Sequence, residues 1–169
     1  MSQVSAEHHA TSPERVRCVV VTVSDTRTLA NDIGGQTIVE LLQADGHEVL
    51  AREIIPDDPQ RMTSLLRDFT QRPETDAVLL TGGTGVSSRD QTFETVSGLL
   101  TRQLPGYGEL LRMLSYQQIG PAAMLTRAVG GLIGHAVVLT MPGSPAAVRL
   151  AMESIILPEL GHLVREARR

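Results

Sequence analysis

Apolar positions along the chain switch repeatedly between a strand pattern and a helix pattern. The run Val16–Val23 is β-branched and almost continuously apolar, which predicts a strand buried on both faces. A polar loop from Ser24 to Gly34 follows. Ile38, Leu41 and Leu42 then recur at helical spacing, with Gly46 where a C-terminal cap belongs. Glu48–Ile55 predicts a second strand. Asp58 before Pro59 predicts a helix start, with Met62, Leu65, Leu66 and Phe69 as its buried stripe. Asp76–Leu80 predicts a short third strand running into Gly82-Gly83.

A third helix is expected after Thr92, with Val96, Leu99 and Leu100 inward, and a fourth over Tyr107–Gln118. Met124–Gly131 and His135–Met141 predict two strands joined by a tight turn at Ile133-Gly134, and therefore antiparallel. Ser144-Pro145 opens a long helix through Val148, Met152 and Ile155, interrupted near Pro158. Strand–helix alternation of this kind predicts an α/β fold. It should be a three-layer α/β/α sandwich whose mostly parallel sheet has one mixed, antiparallel edge. Residues 1–14, polar and carrying His8-His9, are expected as a disordered tail, and residues 15–169 as a single domain.

Composition narrows the chemistry. The net charge of −4 and the 2% aromatic content argue against a nucleic-acid binder, which needs phosphate neutralisation or stacking platforms. All 15 basic residues are Arg, so lysine-dependent phosphate loops, Schiff bases and lysine adenylates are excluded. Phosphate charge must then meet Arg, backbone N–H groups, helix N-termini or a metal ion. The lone Cys18 lies in an apolar run and reads as a core residue. No apolar stretch has the length of a membrane span or signal segment, and a cytoplasmic setting is expected.

In open α/β sheets ligands bind beyond the carboxyl ends of the strands. The loops expected there are Ser24-Asp25-Thr26, Pro56-Asp57-Asp58, Thr81–Asp90 and Pro142-Gly143-Ser144, and all four should open on one rim. Thr81-Gly82-Gly83-Thr84-Gly85 allows close backbone approach, and its N–H groups and Thr hydroxyls could form an anion-binding concavity. Asp90 is open to two roles, a helix N-cap in competition with Thr92 or a carboxylate serving a cation. Asp58 is placed to cap, which leaves Asp57 without a structural role. Two such carboxylates beside a glycine loop suit Mg²⁺-nucleotide chemistry. Ser144-Pro145 is a well-formed helix start whose free N–H groups favour an anion.

Together these segments, with Pro105-Gly106-Tyr107-Gly108-Glu109 and Ala123–Ala128, resemble the MogA/MoaB family of molybdenum cofactor biosynthesis, which is similar to the G domain of gephyrin. The ordered match runs from about Arg17 to the last helix. The resemblance implies binding of molybdopterin as substrate and its adenylylation from ATP with Mg²⁺, releasing pyrophosphate. It implies Asp57 and Asp90 as the catalytic, magnesium-serving carboxylates, directly or through water. Ser24, Asp25, Thr81, Gly82, Gly83, Thr84, Gly85, Thr92, Glu94, Pro142, Gly143 and Ser144 would bind pterin or nucleotide. It further implies a homo-oligomer, trimer or hexamer, and dealings with other cofactor-biosynthesis proteins. One position departs from the transferase pattern: Gln91-Thr92-Phe93-Glu94 has Phe where Pro is usual. That departure keeps open an alternative role as a non-catalytic molybdopterin carrier.

Overall fold

In the computed structural model, which describes residues 13–169, six strands form one sheet. They are β1 (Arg17–Val23), β2 (Glu48–Ile55), β3 (Ala77–Thr81), β4 (Arg102–Gln103), β5 (Gly130–Ile133) and β6 (Ala136–Met141). Their order is β2-β1-β3-β6-β5-β4. The first four in that order are parallel, while β5 runs antiparallel to both β6 and β4. The mixed edge is thus where the sequence predicts it. Residues 1–12, with His8-His9, lie outside the described residues.

Side-chain alternation sends each strand's residues to two different cores. Cys18, Val20, Leu79, Leu139 and Met141 pack with helices α1 (Ile33–Ala44), α4 (Pro105–Ile119), α5 (Pro145–Ala151) and α6 (Leu157–Ala167). Val19, Val21, Val78, Leu80 and Val138 pack with α2 (Pro59–Gln71) and α3 (Thr92–Leu99). Cys18 is wholly buried and its thiol is pushed up by desolvation, so it is a core residue and no nucleophile.

Several elements follow their local signals closely. β2 has the predicted bounds, Asp58 accepts from Arg61 N–H at 2.7 Å ahead of Pro59, and Gly46 takes φ +85° after α1. Three differ. The expected loop to Gly34 ends two residues early, because buried Asp32 caps α1 by accepting from Gly35 N–H at 3.0 Å. The expected strand Met124–Gly131 is mostly a 3₁₀ segment, Gly120–Leu125, and an irregular stretch; only Gly130–Ile133 pairs. The two-residue β4 is an addition to the expected elements. The last helix is interrupted as anticipated: a π-turn, Met152–Ile156, precedes Leu157-Pro158 and absorbs the N–H that Pro158 lacks.

At the amino ends of the strands, buried Asp76 accepts from Arg17 N–H at 2.8 Å and Nε at 3.0 Å, and also pairs with Arg168. Although burial opposes it, these partners hold the Asp76 carboxyl below its ordinary range.

Candidate functional site

β1 is the point where the strand order reverses, with β2 on one side and β3 on the other, so a crevice opens beyond its carboxyl end. It is a cleft of about 290 Å³ between the loops after β1, β3 and β6 and the N-terminus of α1. Ser24, Arg27, Gly34, Gly82 and Gly143 are on its walls. Gly82 has φ +100°, and a Cβ there would stand 2.3 Å from the carbonyl oxygen of Val23. A Cβ on Gly143 would stand 3.4 Å from Gly82 Cα. The three loops therefore meet backbone to backbone, which only glycine permits at Gly82.

The hydroxyl of Thr81 donates to Pro142 O at 3.0 Å and Gly82 N–H donates to Met141 O at 3.0 Å. These two donors, expected to face an anion, instead lock the β3 loop to the β6 loop. The N–H groups of Gly83, Thr84 and Gly85 make no hydrogen bond among the described residues, but Thr84 is buried and none of the three lines the cleft. Ser144 caps α5, accepting from Ala147 N–H at 3.3 Å.

The rim expected to be continuous is divided. A second cleft of about 420 Å³ lies beside the first, between Asp25, Asp57, Asp58, Ser88, Arg89 and Gln91. Ser24 faces the first cleft and Asp25 the second, so one loop is their partition. Asp57 Oδ1 accepts from Gln91 N–H at 3.1 Å, and Asp57 N–H donates to Asp25 Oδ1 at 3.3 Å. Arg89 pairs with Asp25 across the cleft. Burial raises the Asp57 carboxyl above its ordinary value, and the charges of Asp90 and Asp25 raise it further. The Gln91 hydrogen bond and Arg89 oppose them. A positive charge placed beside Asp57 would oppose that rise, as Arg89 already does.

Asp90 does not cap α3. Its Oδ2 accepts from Ser87 N–H at 2.9 Å, the cap position is Gln91 without a side-chain bond, and Thr92 instead donates its hydroxyl to Gly82 O at 3.0 Å. Thr92 and Glu94 thus support the loop and line neither cleft. Among the described residues no three His, Cys, Asp or Glu side chains converge to hold a metal by themselves. Asp57 Oδ2 and Asp90 Oδ1 make no hydrogen bond among the described residues, which fits two ligands to a cation completed by phosphate and water.

Four further residues, Arg27, Asp32, Arg52 and Arg127, shape the site without belonging to the set expected from sequence. Arg27 gives the first cleft its cation. Asp32 accepts from the Thr22 hydroxyl at 2.8 Å and from Arg52 Nη2 at 2.9 Å, which anchors α1 to β1 and β2. Arg127, beyond the 3₁₀ segment, donates Nε to Gly85 O at 2.7 Å and Nη2 to Asp90 O at 3.0 Å. Asp32 announces itself as an Asp ahead of a helix, whereas Arg127 reaches the loop only through the tertiary fold.

A family model described as a probable molybdopterin binding domain matches residues 19–162. The chain is 50% identical over 164 residues to molybdenum cofactor biosynthesis protein B of Bacillus anthracis, with 96% of this chain and 97% of that protein covered. The counterpart in Bacillus subtilis strain 168 is 46% identical over 164 residues, covering 96% of each chain. Among solved structures, the tungsten cofactor synthesizing protein MoaB from Pyrococcus furiosus superposes with a TM-score of 0.84 at 35% identity, covering 94% of this chain and 100% of that one.

Proposed function

The chain belongs to the molybdopterin-binding family of molybdenum cofactor biosynthesis proteins, and from that premise we propose that it adenylylates molybdopterin with Mg-ATP. The observation that carries the proposal is the paired arrangement of clefts: one lined by Ser24, Gly34, Gly82, Gly143 and the cation Arg27, the other by Asp25, Asp57, Asp58 and Arg89. An anionic substrate and a cation-bridged triphosphate need such neighbouring but opposite environments.

In the reaction, a phosphate oxygen of molybdopterin forms a bond to the α-phosphorus of ATP while the bond from that phosphorus to the bridging oxygen breaks, and pyrophosphate leaves. Asp57 and Asp90 would hold Mg²⁺, which when bound supplies charge neutralisation on the phosphates. Arg89 adds positive charge by leaving Asp25 for the triphosphate. No general base is required, because a phosphate nucleophile is already ionised near neutral pH. Catalysis is positioning and charge neutralisation.

No helix among the described residues is long and apolar enough to cross a membrane, and we place the reaction in the cytoplasm. The chain would act as a homo-oligomer, a trimer or hexamer, and pass its product to other cofactor-biosynthesis proteins. The support for assembly is an exposed apolar strip: Leu110, Met113, Tyr116 and Ile119 on α4, continued by Met124 and Leu125, which are 77% and 52% exposed.

Anaerobic incubation with molybdopterin, ATP and Mg²⁺ tests the proposal. Adenylylated pterin and pyrophosphate in equal amounts are expected. Tight pterin binding without pyrophosphate release would replace it with the carrier role.

A further inference from the structure

Arg127 meets the loop from Thr84 to Glu94 at five points. Its backbone N–H donates to Thr84 O at 2.9 Å, its Nε to Gly85 O at 2.7 Å and its Nη2 to Asp90 O at 3.0 Å. Its Nη1 pairs with Glu94, and its guanidinium carbon lies 5.2 Å from the centroid of the Phe93 ring. The Arg127 side chain is 26% exposed and the Glu94 side chain 53%. The pair alone is therefore a weak contributor to stability. The two backbone carbonyls are different. They belong to the last glycine of the loop and to Asp90 itself, and a Cβ on Gly85 would stand 2.8 Å from Asp90 Oδ2. The guanidinium fork fixes the distance between the glycine turn and the carboxylate that follows it.

Each of the side-chain contacts uses a different feature of arginine. Two separate donors reach two carbonyls, a third reaches Glu94, and the flat face lies over Phe93. An ammonium at the end of a lysine side chain is a point charge and cannot span these acceptors. Phe93, the position that departs from the transferase pattern, thereby gains a role as the platform on which the fork rests.

We infer that Arg127 is a positioning residue for the site. By clamping Gly85 and Asp90 onto Phe93 and Glu94, it sets where the Asp90 carboxylate meets a cation-bound triphosphate. The inference rests on the adenylyl-transfer reading and adds to it a residue that touches neither substrate.

The test compares wild-type protein with Arg127→Met, Arg127→Lys and Phe93→Leu. Uptake of Mn²⁺ in the presence of ATP is followed by its paramagnetic signal, and the Mg²⁺ dependence of pyrophosphate release is measured beside it. Supports of a metal ligand typically matter about 10- to 100-fold in affinity or turnover. Arg127→Met should therefore need about tenfold more Mn²⁺ for half-saturation and lose about 10- to 100-fold in kcat. Its affinity for molybdopterin should stay within about twofold, since the first cleft is untouched by the change. Arg127→Lys should resemble Arg127→Met, and added guanidinium should restore part of the metal affinity of Arg127→Met. Phe93→Leu should give a smaller loss, because the cation–π contact is worth only about 0.5–1 kcal/mol at a partly exposed site, or two- to fivefold. Thermal unfolding of each variant checks that the fold is kept. A folded Arg127→Met protein with wild-type Mn²⁺ uptake overturns the inference while leaving the transfer reading intact. Wild-type protein that takes up Mn²⁺ with ATP yet releases no pyrophosphate overturns the transfer reading, and the Mn²⁺ comparison still decides the role of Arg127. Wild-type protein that takes up no metal with ATP overturns both.

Discussion

The carboxylate of Asp57 lies so close beneath Gly83 that a Cβ at that position would stand 2.5 Å from Asp57 Oδ2, and 2.2 Å from the hydroxyl of Thr92. Gly83 also has φ +63°. The glycine loop and the carboxylate cleft are thus one rigid piece, closed over a residue that cannot carry a side chain. Gly83→Ala should destabilise the protein by about 1–3 kcal/mol through backbone strain and displacement of its neighbours. It should also displace Asp57 and abolish pyrophosphate release. Thermal unfolding and the transfer assay measure the two effects separately.

Asp57→Asn should separate function from stability in the opposite sense. The folded state raises the Asp57 carboxyl above its ordinary value of 3.8, chiefly by burial. The native protein therefore binds the proton more tightly than the unfolded chain. Stability from this group is present below 3.8 and is lost as pH rises through the folded value, so at neutral pH the ionised carboxylate is a net cost. An amide keeps the acceptor for Gln91 N–H and removes the charge. The variant should melt slightly higher than wild type at pH 7, a gain kept small by solvent screening of this partly exposed group, and the gain should vanish in acid. Its adenylyl transfer should fall by at least about a hundredfold, through loss of a charge that the transition state uses. A transfer rate near wild type would remove Asp57 from the catalytic set.

His47 carries a second, independent pH dependence. Its ring Nδ1 accepts from Val16 N–H at 3.3 Å, and only 7% of its side chain is exposed. Burial lowers its pKa below the ordinary 6.5, against the pull of Asp45. The folded protein prefers the neutral ring. Its contribution to stability is complete above 6.5 and is lost as pH falls through the folded value. Urea unfolding midpoints should decline as pH drops below 6.5, and His47→Gln should flatten that decline. An unchanged slope in the variant would assign the dependence to other groups.

The apolar strip on α4 should be covered in solution by another copy of the chain. Light scattering of wild-type protein is expected to give a trimer or hexamer. Met113→Glu combined with Ile119→Glu should give monomers with unchanged circular dichroism, since both side chains are exposed, 53% and 60%. A wild-type monomer would leave the strip to a different partner.

Local rules account for most of the architecture, and each departure from them has a physical cause. Glu48–Ile55 and the Asp58-Pro59 helix start are dictated by residues adjacent in sequence. α1 begins earlier than its pattern suggests because Gly34-Gly35 resembles a loop. Its second glycine is instead demanded by packing, since a Cβ on Gly35 would stand 2.2 Å from Asp32 Oδ2. Met124 and Leu125 look like strand residues, yet their apolar surface points outward. Arg102–Gln103 is exposed on both residues, so no alternation betrays it. At the site, the loops could be chosen from strand ends alone. Which hydroxyls face a ligand, and which only join two loops, depends on contacts as distant as Thr81 to Pro142. The same holds for Arg127, whose partners Gly85 and Asp90 lie 42 and 37 residues earlier in the chain.

Asp76 gathers Arg17, at the first strand, and Arg168, after the last helix, onto a single carboxylate. Both ends of the folded unit therefore leave from the pole opposite the two clefts. A polypeptide spliced ahead of Arg17 or behind Arg168 would grow away from the two clefts. The unit is in this sense ready to be a module, able to accept a fused neighbour at either end without closing its own entrance.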